Sequence, residues 1–177
     1  LYFVIDNSGS MDSSAGCTGC GTRAVEWNKA VDALKAGLAT DYNLGSAIFS
    51  GDDTTCGSQP TQRLAVTAAN TVNLSETSDT ASTLTAPSGG TPTAAALQGV
   101  RSRILYQMAN DPMNAVRPKA VVLVTDGDPT SCSLGRDHPI GDSYEADSED
   151  QFYSTVEEAR QLAALGVPVY VIGFSGI

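Results

Sequence analysis

Apolar residues along this chain fall into two alternating kinds of pattern. Short unbroken runs bounded by polar turn residues read as strands covered on both faces of a parallel sheet. Leu1 to Ile5 is the first, and a second runs from about Tyr42 to Phe49 on Leu44, Ala47, Ile48 and Phe49. Ala120 to Val124, within residues 119–125, is the most strand-like, and Val167 to Phe174 is the last buried strand. Gln62–Thr67 and Thr71–Leu74 both have strand-like content; one of them is expected as a third, edge strand, and the pattern does not choose.

Between these runs apolar residues recur every three or four positions, as on amphipathic helices. Residues 23–39 carry Val25, Trp27, Ala30, Val31, Leu34 and Leu38, with Thr22 as the expected cap and Trp27 in the core. A second helix after Pro92, which suits a helix start, buries Ala96, Leu97, Val100, Ile104, Leu105 and Met108. A third, about 151–165, carries Phe152, Val156, Ala159, Leu162, Ala163 and Leu165 and ends at Gly166. Ser75 and Glu76 open a short helix or irregular segment that ends before Pro87. Such alternation predicts one α/β domain over 1–177, with a doubly wound, mostly parallel Rossmann-like sheet and helices on both faces.

Charge and cysteine content narrow the function classes. Twenty acidic residues against ten basic ones give a formal net charge of −10. That balance disfavours a nucleic-acid or anionic-membrane partner. No apolar run approaches the roughly 20 residues needed to span a bilayer, so direct membrane insertion is not expected. Cys17, Cys20, Cys56 and Cys132 allow two disulfides in three pairings, which implies an extracytoplasmic compartment: cell surface, secreted or periplasmic. Reduced thiols and a zinc knuckle are the rivals. The spacing favours a local Cys17–Cys20 bridge and a second one, Cys56–Cys132, between loops after two strands. A thioredoxin-like dithiol is disfavoured, because Gly21 and Thr22 follow the pair where a helix start would be needed. The chain opens directly on a strand, so upstream sequence is expected to have been removed.

The candidate chemistry begins where the first strand ends, at Asp6-Asn7-Ser8-Gly9-Ser10. A carboxylate and two hydroxyls at alternate positions offer hard oxygen donors, which suit Mg²⁺, Mn²⁺ or Ca²⁺ better than zinc. A capped turn is the simpler reading. Ser88-Gly89-Gly90-Thr91-Pro92-Thr93 resembles a phosphate-binding turn but has no lysine in reach. Asp126 follows the strand at 119–125. If the first strand and that one are neighbours, Asp6, Ser8, Ser10, Thr91 and Asp126 meet at the carboxyl edge of the sheet, where ligands of open α/β folds bind. Asp52 and Asp53 read as solvated loop acids. So do most of the eight acids between Asp126 and Asp150, opposed only by Arg136; a second cation site among Asp137, Asp142, Asp147, Glu149 and Asp150 lacks EF-hand spacing.

These three segments resemble the von Willebrand factor A (integrin I-like) family over the whole of 1–177. Asp6-Asn7-Ser8-Gly9-Ser10 matches its DxSxS signature, Thr91 its threonine ligand, and Asp126 its later aspartate. The resemblance implies a metal ion-dependent adhesion site holding Mg²⁺, or Mn²⁺ or Ca²⁺, on the sheet's top edge. It implies serines and threonine on the ion, aspartates acting partly through water, and a partner protein supplying a Glu or Asp carboxylate. The domain would belong to a larger surface protein, resembling bacterial secreted or surface members. The family has six strands and a final helix, so the C-terminal helix–strand–helix is expected to be missing.

Catalysis is not expected. A haloacid-dehalogenase-like phosphohydrolase needs a second carboxylate where Ser8 stands, and serine cannot shuttle a proton at neutral pH. His138, the single histidine, lies in the acidic loop, and Gly173-Phe174-Ser175-Gly176 does not complete GxSxG. A non-catalytic scaffold domain of a surface protein is the other alternative to a metal-dependent adhesion module.

Overall fold

The computed structural model describes residues 1–27, 29–30, 43–50, 61–68, 89–127, 129 and 148–174. Among the described residues five strands form one sheet: β1 (Tyr2–Asp6), β2 (Asn43–Phe49), β3 (Thr61–Ala68), β4 (Val121–Thr125) and β5 (Val169–Gly173). Their order is β3-β2-β1-β4-β5. All neighbours are parallel except β2 and β3, which run antiparallel. The edge strand is therefore the first of the two candidates; Thr71–Leu74 lies outside the described residues. Helices are α1 (helical at 23–27 and 29–30), α2 (Thr93–Asn110) and α3 (Ser148–Ala164).

Alternation along the central strand divides the core in two. Phe3 and Ile5 point to one face, where Met11, Ala24, Trp27, Ile48 and Val124 pack with them. Tyr2 and Val4 point to the other, against Ala47, Phe49, Val121 and Leu123 and against Leu97, Val100 and Ile104 of α2 and Leu162 of α3. The sheet is doubly wound, as the alternation of elements requires. Trp27 is fully buried, in a tilted contact with Phe3 at 6.3 Å between ring centroids.

Several residues expected inside are outside. Val25, Leu105 and Val156 are exposed at 43%, 41% and 64%, and Ala163 is exposed too. On α3 the buried line is instead Ser154, Glu158 and Leu162, four residues apart. Glu158 is drawn inward by Arg101 of α2, which donates from Nε at 2.8 Å and from Nη2 at 3.2 Å. A bidentate ion pair between helices thus turns α3 away from its most apolar stripe. The last strand is not buried on both faces: Tyr170, Val171 and Ile172 of β5 are exposed at a sheet edge.

Arg101→Leu leaves the Glu158 carboxylate buried without its partner. We expect a loss of about 3–5 kcal/mol in urea unfolding, most of it recovered in the Arg101→Leu/Glu158→Leu double variant.

Candidate functional site

β1 stops where its backbone bonds pass from sheet to loop. Asn7 N–H still donates to Phe49 O at 2.8 Å, and the next N–H, of Ser8, turns onto the Asp6 side chain at 2.8 Å. A side chain accepting from the backbone two residues on is the usual way Asp starts a turn. A short 3₁₀ turn, Gly9–Asp12, follows, and its Met11 is fully buried beneath the loop. The polar excursion that comes next closes on itself. Ala15 N–H donates to Gly21 O at 3.1 Å, Ser14 bridges to Thr22, and Cys17 and Cys20 are joined by a disulfide. Thr22 then caps α1, accepting at Oγ1 from Val25 N–H at 3.4 Å.

Closure of this excursion delivers Arg23 beside the first loop. Its N–H donates to Ser13 O at 3.0 Å, and its Nη1 donates to Ser10 O at 3.2 Å and to Asp126 Oδ2 at 2.7 Å. Ser10 Oγ donates to the other carboxylate oxygen, Asp126 Oδ1, at 2.7 Å, and lies 2.9 Å from Ser8 Oγ. Thr125 Oγ1 donates to Asp6 Oδ2 at 2.7 Å. The Thr91 loop is held against the same place by Gly9 N–H donating to Gly89 O at 3.0 Å, and Thr91 is buried. Strand pairing of β1 with β4 puts Asp6 and Asp126 at one edge. All three sequence-selected segments therefore meet.

Two participants are invisible to the sequence patterns. Thr125 read as the end of a strand, yet it bonds Asp6. Arg23 read as the first residue of a helix, yet it neutralises Asp126; the available signal was a cation directly after a loop whose ends must close.

Asp6 is buried, and burial pushes its carboxyl above the usual carboxylate range. Hydrogen bonds from Ser8 and Thr125 oppose the shift, and the nearby Asp126 charge adds to it.

The sequence matches the von Willebrand factor type A domain over residues 1–177. The chain belongs to the von Willebrand factor type A domain family. No curated protein matches it in sequence. Solved structures share the fold. Manganese-loaded TRAP protein of Plasmodium vivax is similar at 23% identity and TM-score 0.60, over 98% of this chain and 56% of that one. The pilus adhesin SpaC of Lactobacillus rhamnosus GG is similar at 22% and 0.60, over 98% of this chain and 24% of that one. A D319A mutant of the PilB minor pilin of Streptococcus sanguinis is similar at 20% and 0.56, over 99% of this chain and 50% of that one. This chain thus spans less than two thirds of each of those chains.

Membership of the von Willebrand factor type A family does not carry the expected metal centre with it. Among the described residues no group of three or more His, Cys, Asp and Glu side chains comes together to hold an ion. The expected Mg²⁺, Mn²⁺ or Ca²⁺ and the metal ion-dependent adhesion site are overturned on that finding. The physical reason lies in how the oxygen donors are already engaged. Among the described residues two carboxylates meet; both oxygens of each accept from the protein's own donors, and Asp126 already has a cation in Arg23. The local Cys17–Cys20 bridge is present. Cys56, Cys132, His138, Asp52, Asp53 and the acids from Asp137 to Glu145 lie outside the described residues, as does Asp147.

A raised Asp6 pKa has a definite sign. The folded state holds that proton more tightly than the unfolded one, so stability falls as pH rises from the unfolded value through the folded one, and the deficit persists at neutral pH. Asp6→Asn keeps an acceptor for Ser8 N–H and removes the charge. We expect its melting temperature to exceed that of the unsubstituted protein at pH 7, with the gap closing below about pH 4, where both forms are neutral. Thermal scans across pH check this.

Proposed function

We propose that this domain is a non-catalytic protein-binding and scaffold domain of a larger surface adhesion protein, working outside the cytoplasm. The observation that carries the reading is the family match over 1–177 together with Asp6, Ser8, Ser10, Thr91 and Asp126 gathered on the top edge of the sheet. Pilus adhesin and minor pilin structures of the same fold support an adhesive setting. The Cys17–Cys20 disulfide supports an oxidising compartment. Among the described residues no helix is long and apolar enough to cross a membrane.

Around the buried pairs, the rim of the top edge is accessible. Gly9 and Ser10 are exposed, as are Asp12 and Ser13 of the following turn. In this reading the partner is a protein that docks on this rim, and the Asp–Ser–Arg cluster beneath it fixes the loops' shape. A phosphohydrolase role is disfavoured because the Ser8 hydroxyl, where a second carboxylate would be needed, lies against Ser10 Oγ and offers no proton shuttle.

The test is adhesion of domain-coated beads to immobilised extracellular-matrix and cell-surface proteins. Ser10→Tyr on the rim should weaken any binding found by tenfold or more, about 1.4 kcal/mol. Val116→Ser, on an exposed site after α2, should leave it unchanged. Hydrolysis of a generic phosphomonoester that disappears in Asp6→Asn would overturn the reading in favour of the phosphohydrolase.

A further inference from the structure

We propose that Arg23 is the resident cation of the acid–hydroxyl cluster, a built-in positive charge that keeps the top loops together without a dissociable metal ion. Three observations carry this. First, the guanidinium joins segments far apart in the chain: Nη1 binds Asp126 Oδ2 at 2.7 Å, across 103 residues, and Ser10 O at 3.2 Å. Second, the pair is shielded from water, with the Arg23 side chain 14% exposed and that of Asp126 fully buried. Third, Arg23 is placed by covalent structure as well as by charge. Its N–H is held by Ser13 O, and the loop between Ser13 and Arg23 is drawn shut by the Ser14–Thr22 bridge and the Cys17–Cys20 disulfide.

The side chain's own bonding shows how firmly it is held there. Arg23 Nε is buried with no hydrogen-bond partner among the described residues. An arginine free to choose its position would keep that donor in water, so the contact with Asp126 and Ser10 outweighs a donor left unpaired. A divalent ion at the cluster would sit beside this guanidinium. It would meet like-charge repulsion and would have to compete for Asp126 oxygens that already accept from Ser10 and Arg23. Taking Arg23 away reverses the balance. Asp6 and Asp126 then remain as two carboxylates beside three hydroxyls with no cation, which is a donor set suited to a hard divalent ion.

The experiment is thermal unfolding of the full chain with chelator, with millimolar Mg²⁺ and with millimolar Mn²⁺. It uses no binding partner, so its failure and that of the adhesion reading are separate results. The unsubstituted protein should melt within about 1 °C of the same temperature in all three conditions, since nothing binds to shift it. Arg23→Met should melt on the order of 5–10 °C lower with chelator, as expected for an orphaned buried charge. Asp126→Asn in the same background should recover at least half of that loss, and Mn²⁺ should raise the melting temperature of Arg23→Met alone. If Arg23→Met does not fold, Arg23→Lys takes its place: it keeps the charge and should show an intermediate melting temperature with no Mn²⁺ effect. A metal-linked rise in the unsubstituted protein overturns the proposal whatever the variants do. So does an Arg23→Met variant as stable with chelator as the protein it came from.

Discussion

Two carboxylates lie at the ends of the adjacent central strands, and neither can be left there unbalanced. Asp6 and Asp126 sit where β1 and β4 leave the sheet, and both are buried. An isolated charge in such a place is far costlier than any single apolar contact can offset. The protein meets the constraint in two ways. Asp6 is surrounded by neutral donors and its affinity for a proton rises; Asp126 receives a hydroxyl and a full positive charge.

Much of the top-face architecture follows from supplying those donors. The first loop must turn at once so that Ser8 N–H reaches Asp6, and Ser10 must come round far enough to reach Asp126. Thr125, one residue before Asp126, turns its hydroxyl back to Asp6 and ties the two strand ends together. Arg23 arrives only because the excursion after the first loop closes on itself. The disulfide at Cys17–Cys20 sits in the middle of that closure, so its place is on the path that positions a charge.

Most of the fold was legible in the sequence because burial on both faces leaves an unmistakable apolar run. β1 and β4 fell where such runs occur; their adjacency, which the apolar pattern left as a condition, brings Asp6 and Asp126 together. The three segments of the site were legible for a related reason: carboxylates and hydroxyls at strand ends have few roles. What the sequence hid was pairing between polar residues. Arg23 and Thr125 carry no periodic signal, and reading the cluster as a metal site assigned to an external ion the charge that Arg23 supplies. Likewise nothing in the α3 pattern showed that Glu158 would displace Val156 from the buried side, because the deciding partner lies 57 residues away on another helix.

These two ion pairs divide the work of specifying the structure with the apolar core. The buried face of α2 carries Ala94, Ala95, Ala96 and Gly99 together with Leu97, Val100 and Ile104, an apolar surface with no polar group of its own to fix the alignment of a neighbouring helix beyond Thr93. A shift of α3 by one turn, about 5.4 Å, would still set apolar side chains against apolar side chains. It would, however, pull Glu158 out of reach of both donor nitrogens of Arg101 and leave two charges unpaired. Apolar burial sets which layers pack, and the fork of Arg101 selects among the positions that packing alone leaves close in energy. Arg23 does the same for the top loops, where glycine and serine offer still less to pack. In both places an arginine fixes the alignment, because its planar donors accept few geometries and its charge cannot be shed.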